Sequence, residues 1–314
     1  MPAIRILVQC SIPFAEDDWH VGRFSALVDT LRGFRQDDGS PLAAVTARNR
    51  EVDASGRDPV LAGLNRKDWD EFWLFAVDGG EACNDVECAA IDAFQRDGGG
   101  VLAARDHQNM GLWLRKLPGV GAAHFFHADP FRETDPSRCS RDDQDTRSID
   151  FPNYHSGSNG DPQAISPVEP LHPLLALPGG RRIAWLPAHP HEGAVVPPPG
   201  DPRARSVAQG RSTVTGRPFH LSVAFERSAE YAGRAVAESS FHHFASYNWN
   251  PAVGAPSFVT EKPGSGLREH PEAMAHTRAY VENLVRWLAP AAPESNPREV
   301  VSRRSSAGTS LSAP

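Results

Sequence analysis

The sequence predicts an α/β protein whose parallel β-sheet is covered by helices on both faces. Three observations lead to this prediction. Short apolar runs alternate with segments of helical periodicity over the first hundred residues, the runs are largely apolar, and Gly- or Asp-rich turns separate them. Such alternation is typical of βαβ units, whose strands are parallel and buried on both faces.

The predicted strands are the apolar runs themselves. Residues 4–9 form the first strand, a short run near 43–46 forms the second, and 72–77 and 101–105 form the next two. Three later runs predict further strands, at 182–186, 220–225 and 234–238.

Two amphipathic helices are predicted between the early strands, and a third near the end of the chain. Asp17 or Asp18 is the expected N-cap of the first helix, and Asp85 is the expected N-cap of the second, which spans 86–96. The apolar stripes of the first and last helices are Phe24, Leu27, Val28 and Leu31, and Val281, Leu284, Val285 and Leu288.

A single α/β domain over residues 1–290 accounts for these elements, although the chain length would also allow two domains. Segments rich in Pro, Gly and polar residues at 130–170 and 195–210 predict long loop insertions. The polar residues 291–314 predict a disordered C-terminal tail.

Composition and charge narrow the function classes. Asp and Glu outnumber Lys and Arg by 39 to 32, the net charge is −7, and no block of basic residues is present. Nucleic-acid and membrane partners are therefore not expected, because both need a positive surface. No apolar stretch reaches the roughly 18 residues of a membrane span, no signal peptide is evident, and none of the four cysteines forms a CxxC pair. We predict a cytoplasmic protein without a disulfide framework.

An ordered series of motifs runs along roughly residues 1–290. It consists of DDWH, DEFWLFAVDGG, GGG, VLAAR, DHQNMG, EPLHPLLALP, RRIAWLPAHPHEGAV, GRAVAESSFHHF and VRWLAP. This series resembles the ThuA-like (trehalose-utilisation) family of the class I glutamine amidotransferase-like superfamily. The resemblance implies a flavodoxin-like parallel sheet and carbohydrate metabolism, with a sugar or keto-sugar as substrate.

One departure from this superfamily concerns the nucleophile. Class I glutaminases carry a Cys in the turn after the strand that GGG introduces, and the turn here, 104–108, has neither Cys nor Ser. Cysteine supplies the thiolate of the thioester, so glutaminase activity by that route is not expected. ThuA-like proteins carry His at the offset that Arg105 occupies here; His107, two residues later, is the alternative.

The turn after the strand 101–105 is the first candidate site, because open α/β sheets bind ligands at the carboxyl ends of their strands. Asp106 and His107 are predicted to be catalytic, with Arg105 and Gln108 binding substrate. His107 would act as a general base near neutral pH. The alternative is that Asp106 caps a helix from 108 to 117 and His107 only bonds its backbone.

Histidines are the second group of candidate site residues. His189 and His191, held on one side by the proline between them, and His242 are predicted ligands of Zn²⁺ or another divalent metal. Glu192 and His243 are predicted to join Asp106 and His107 as the catalytic group. The alternative is a polar pocket of hydrogen-bonded histidines without a metal.

Aromatic and polar side chains suggest the substrate contacts. Tyr154, His155, Tyr247 and Trp249 are predicted to bind substrate, since aromatic faces stack on sugar rings and polar groups take hydroxyls. For Tyr154 and His155 the alternative is an ordinary surface loop.

These observations predict an enzyme acting on a small molecule by acid–base chemistry, with or without a metal. The alternative is a non-catalytic binding or assembly protein that retained the fold after losing the nucleophile. A hydrolase using metal-bound water is a third reading. A small-molecule ligand is expected in each case, and a homo-oligomer is compatible with all three.

Overall fold

The computed structural model describes residues 2–291 except 138, 143–145, 147 and 150–152. The predicted disordered tail, 291–314, therefore lies outside the described residues apart from its first position. The strands are β1 (Ile4–Cys10), β2 (Ala43–Asn49), β3 (Glu71–Phe75), β4 (Gly100–Ala104), β5 (His124–Phe125), β6 (Pro162–Ala164), β7 (Ser166–Pro167), β8 (Trp185–Pro187), β9 (Ala194–Val195), β10 (Ala204–Arg211), β11 (Pro218–Phe225) and β12 (Ala235–Glu238).

The helices of the described residues are α1 (Ser25–Gly33), α2 (Pro59–Ala62), α3 (Asp85–Arg96), α4 (Ser246–Trp249), α5 (Gly266–Glu269) and α6 (Pro271–Leu288). Short 3₁₀ turns lie between them, including Val21–Phe24, Leu112–Lys116 and Phe241–His243. Within the described part of the chain, no helix combines the length and apolar character needed to cross a membrane.

Eight strands form one mixed sheet, in the order β2-β1-β3-β4-β12-β11-β10-β7. The first five strands in this order are parallel to one another, whereas β11, β10 and β7 are added in antiparallel fashion. The predicted α/β architecture is therefore present, but the sheet is mixed rather than wholly parallel.

Helices cover both faces of this sheet, because successive strand residues point to opposite sides. Ile6 and Val8 of β1 pack in a cluster with α1 and α6, whereas Leu7 packs in a second cluster with α2 and α3. Strands β3 and β4 are buried along their whole length, as their continuous apolar sequences require.

Three local predictions are corrected. Strand β10 lies partly within 195–210, which was expected to be a loop; its arginines and the prolines before it hide a buried centre, Ser206–Ala208. His20 caps the turn before α1, while Asp17 accepts hydrogen bonds from Ser257. Asn84 rather than Asp85 caps α3, in a capping box with Glu87.

Candidate metal centre

Three polar side chains from three separate loops converge at the carboxyl end of the sheet. Asp106 follows β4 and His242 follows β12, and these two strands are parallel neighbours. His189 follows β8. All three side chains are buried. Their candidate ligand atoms lie within 4.8 Å of one another.

The three side chains meet at a single carboxylate oxygen. Oδ2 of Asp106 lies 3.0 Å from Nε2 of His189 and 3.8 Å from Nε2 of His242. The two imidazole rings are stacked, with centroids 3.5 Å apart and an interplanar angle of 8°. The other oxygen of Asp106 accepts a hydrogen bond of 3.0 Å from the hydroxyl of Ser240.

A hydrogen-bonded relay fixes which ring nitrogens carry protons. The carbonyl of Ala188 can only accept, so the group 2.9 Å from it is the amide NH₂ of Asn248, and Oδ1 of Asn248 faces Nδ1 of His242 at 2.8 Å. The same NH₂ donates to Oδ1 of Asn159 at 2.8 Å, and that oxygen faces Nδ1 of His189 at 2.9 Å. Both Nδ1 atoms therefore donate.

The opposite nitrogens are left as acceptors. Burial lowers the pKa of His189 and of His242 well below the usual value, so both rings are neutral near pH 7. Each Nε2 then presents a lone pair toward Asp106, whose carboxylate also only accepts. Three acceptors that face one another need a cation or a proton between them.

This cluster forms one end of a pocket of about 240 Å³. The pocket is lined by carboxylates, imidazoles, aromatic rings and aliphatic side chains: Asp18, Trp19, Val77, Asp106, His107, Met110, Thr146, Ile149, Asn159, His189, His191, Phe241, His242, Phe258, Val259, Thr260 and Glu261.

His107 and His191 stand on the wall of this pocket, their rings perpendicular with centroids 5.6 Å apart. Nε2 of His107 is 3.4 Å from Oδ2 of Asp106, and burial lowers the pKa of His107 to about 4. Nε2 of His191 is 3.6 Å from Oε1 of Glu261. Glu261 is not predicted from the sequence, because it stands in a proline-containing stretch without neighbouring candidates.

Arg105 does not reach the pocket, contrary to its predicted role. Its guanidinium is buried and donates to the carbonyls of Met110 and Phe125, at 2.8 and 2.7 Å. Burial lowers the pKa of Arg105 to about 9, although Asp106 opposes this shift. Arg105 thus holds the turn that presents Asp106. Gln108 bonds the carbonyl of Ser148 at 2.8 Å and is absent from the described pocket lining.

The expected capping role of Asp106 is also absent, since a 3₁₀ turn at Leu112–Lys116 replaces the predicted helix from 108 to 117. The carboxylate of Asp106 instead accepts a hydrogen bond from Ser240 and faces Nε2 of His189 at 3.0 Å.

Glu192, His243 and Glu238 form a second cluster, here called the buried triad. Nδ1 of His243 lies 3.0 Å from Glu238, and Nε2 lies 3.1 Å from Glu192. Burial alone would lower the pKa of His243, but the two carboxylates raise it to about 10. Ser239 donates to Glu192 at 2.8 Å and Tyr280 donates to Glu238. His243 is therefore an imidazolium between two carboxylates.

The predicted catalytic group of four is thus divided between two places. Asp106 and His107 line the pocket, whereas Glu192 and His243 are fully enclosed and are absent from its described lining. His242 and His243 are consecutive in one 3₁₀ turn and point to different clusters.

The segment that carries His189 and Glu192 passes tightly between the two strand-end loops. A Cβ atom at Gly193 would lie 2.5 Å from the carbonyl oxygen of Asp106 and 2.6 Å from that of Ser239. Only glycine allows this approach.

The other four predicted substrate contacts also lie outside the described lining of this pocket. Tyr154 is buried and stacks on Phe219 with centroids 4.6 Å apart. His155 bonds Thr213 at 3.0 Å. Tyr247 is buried, and Trp249 donates to the carbonyl of His243 at 2.8 Å.

Comparisons with known proteins add little to this geometry. No protein-family model and no curated protein matches the sequence. The solved structure described as "mmIFT52 N-terminal domain" aligns with a TM-score of 0.44 at 9% sequence identity, covering 77% of this chain and 88% of that chain. This is a distant likeness, and nothing about the pocket follows from it.

Proposed function

We propose that the protein is a metal-dependent enzyme in which Asp106, His189 and His242 bind Zn²⁺ or another divalent cation. The observation that carries the proposal is the relay from Ala188 through Asn248 and Asn159. It turns two neutral imidazole lone pairs toward one carboxylate oxygen.

The donor set fits such a cation. Two histidines and one carboxylate are a common ligand set of catalytic zinc and non-haem iron, and they leave coordination positions open for water or substrate. Metal-binding histidines usually donate their second ring N–H to an outer group, as His189 and His242 do to the two asparagines. Ligand bonds of about 2.0–2.2 Å place ligand atoms about 3.3 Å apart, close to the distances of 3.0 and 3.8 Å from Asp106.

A bound cation would supply an acidified water or a polarised substrate oxygen. The chain's own residues would supply the rest of the acid–base chemistry. His107 and His191 line the same pocket, where they are positioned to exchange protons with a substrate. The relay holds the ligand rings in place, and Arg105 holds the turn that carries Asp106.

We also propose that the fold is flavodoxin-like and that the chain is related to the ThuA-like family. The parallel part of the sheet has the order β2-β1-β3-β4-β12, which corresponds to the flavodoxin-like order 2-1-3-4-5, and this supports the proposal. A sugar or keto-sugar substrate rests on the resemblance between the ordered motifs alone.

Elemental analysis of the purified full-length chain tests the metal. We expect about one divalent ion per chain, lost in His189→Ala, His242→Ala and Asp106→Asn. His270→Ala is the matched control, because His270 is exposed and stands outside the described pocket lining. If the wild-type protein still contains no metal after dialysis against Zn²⁺, Mn²⁺ or Fe²⁺, the proposal is overturned and the non-catalytic alternative is favoured.

A further inference from the structure

The charge of the pocket wall bears on what the pocket binds. Three carboxylates line it, those of Asp18, Asp106 and Glu261, and among the described lining residues there is no Lys or Arg. A divalent cation would offset two of these three negative charges. The site would then stay negative even with its metal bound, and a pocket of one sign concentrates ligands of the opposite sign.

Aromatic rings accompany the carboxylates. Trp19, Phe241 and Phe258 all line the pocket, and Trp19 packs edge-on against both Phe241 and His242, with centroids 5.3 and 4.8 Å apart. Phe258 is 58% exposed. Aromatic faces attract ammonium groups through their ring quadrupoles, and a wall of aromatic rings and carboxylates is typical of sites for organic cations.

A buried donor gives a third indication. Asn159 lines the pocket and is 1% exposed. Its Oδ1 is engaged by His189 and Asn248, but its Nδ2 has no partner among the described residues. A buried N–H without an acceptor is costly, so a ligand oxygen next to it would be favoured.

We propose that the substrate is a small organic amine, positively charged at neutral pH, that also carries a hydroxyl or carbonyl oxygen. The ammonium group would contact Asp18 or Glu261 and the aromatic rings, and the oxygen would accept from Asn159. The volume of about 240 Å³ limits the ligand to less than a typical drug-sized molecule. This inference rests on the proposed metal-dependent function and deepens it.

The test compares matched ligands that differ in charge. Dissociation constants for the metal-loaded full-length chain are measured by calorimetry with glucosamine, glucose and glucuronate, and with 3-aminopropanol, 1,3-propanediol and 3-hydroxypropanoate. We expect the amine of each set to bind at least about tenfold more tightly than the acid, which corresponds to about 1.4 kcal/mol.

Two substitutions test the source of the preference. Asp18→Asn and Glu261→Gln should each reduce the amine-to-acid ratio several-fold, while Glu51→Gln, at a side chain that is 80% exposed, should leave it unchanged. Equal or tighter binding of the acids, a preference unaffected by both pocket variants, or no binding of either amine would overturn the inference.

Metal content and ligand affinity, measured on the same samples, distinguish a failure of this inference from a failure of the proposed function. If the chain takes up a metal but shows no preference for amines, only the substrate inference fails. If it prefers amines but takes up no metal, the metal-dependent function fails and the charge-based selection remains.

Discussion

The candidate metal centre and the buried triad are made of the same kinds of side chain, yet their charges are balanced in different ways. In the triad, an imidazolium stands between two carboxylates, which also accept hydrogen bonds from side chains that include Ser239 and Tyr280. In the metal centre, two neutral imidazoles and a carboxylate face one another as acceptors. The triad is complete without any ligand, whereas the metal centre lacks a positive charge.

This difference shows how two residues adjacent in the chain acquire unlike roles. His242 and His243 are adjacent in the chain, but His242 donates through Nδ1 to Asn248, whereas His243 has a carboxylate at each nitrogen. An amide partner leaves an imidazole neutral and available as a ligand, while two carboxylates make it an ion. The outer partners therefore decide which histidine is available as a metal ligand.

A substitution in the buried triad should change the free energy of unfolding most. Glu192→Gln should lower the free energy of unfolding by about 3–5 kcal/mol, because it removes one partner of a buried ion pair. Metal content should not change. Denaturant unfolding and elemental analysis of one preparation measure both quantities.

Glu230→Gln is the control for this substitution. Glu230 is 66% exposed and pairs with Arg96 at the surface, so its loss should cost no more than about 1 kcal/mol. Loss of the metal in Glu192→Gln, with stability unchanged, would show that the triad is part of the metal site.

The pH dependence of stability should report the imidazolium. The pKa of His243 in the folded chain is about 10, above the usual value of the unfolded chain, because Glu192 and Glu238 outweigh burial. Its stabilising contribution is therefore complete below about pH 6.5 and is lost as the pH rises toward 10. Unfolding of metal-free protein in EDTA should show stability falling by up to about 1.4 kcal/mol per pH unit from this group.

His243→Gln should flatten this slope, since it removes the titrating group. A slope between pH 7 and 10 that is the same in the variant would contradict a charged His243.

A smaller effect is expected from the relay. Asn248→Ala removes the acceptor of His242 Nδ1 and the donor to Asn159. Metal affinity should fall about 10–100-fold, as is typical when an outer partner of a ligand is lost. Competition with a chromogenic chelator gives the dissociation constant.

Asn283→Ala serves for comparison, because Asn283 bonds two backbone carbonyls, of Leu174 and Ala176, beside α6. Equal affinities in the two variants would mean that the relay does not orient the ligands.

The smallest expected change is in the stability of an Asp106 variant, and its sign depends on whether the metal is present. Asp106→Asn places an N–H beside Nε2 of His189, 3.0 Å away, where two acceptors now face each other. Metal-free protein should gain about 1 kcal/mol of stability from the new hydrogen bond. In the presence of Zn²⁺ the wild type should be the more stable form. Thermal unfolding with and without the metal tests this, and destabilisation of the metal-free variant would argue that a proton already bridges the two groups.

Periodicity was sufficient to place most of the sheet and helices. The strands around 4–9, 72–77 and 101–105 and the helix at 86–96 all have counterparts in β1, β3, β4 and α3. Strand β10 was not predicted, because arginines and a preceding proline-rich turn mask its short buried centre. Its position depends on tertiary packing against β11 and β7, which local sequence does not encode.

Side-chain types indicate where the candidate centre lies, but they do not show which residues belong to it. The sequence predicts His189 and His242 as metal ligands and Asp106 as a catalytic residue, because each stands just after a strand, where ligands of open sheets bind. Nε2 of His191, the third predicted ligand, lies instead 3.6 Å from Oε1 of Glu261. The direction of each side chain could not be predicted, so Glu192 and His243 were grouped with the pocket. Arg105 was also assigned to the substrate, although its burial and bonds to carbonyls belong to the packing of the turn.

The tight passage at Gly193 has a consequence for metal selection. Its backbone lies between the turn that carries Asp106 and the loop that leads to His242, and a single methyl group there would force the two apart. The separation of two proposed ligands is therefore set in part by a residue that packs against backbone atoms and offers no side chain to the centre. Because larger cations need more widely spaced ligands, we expect a larger residue at position 193 to shift the ionic radius that the proposed centre prefers.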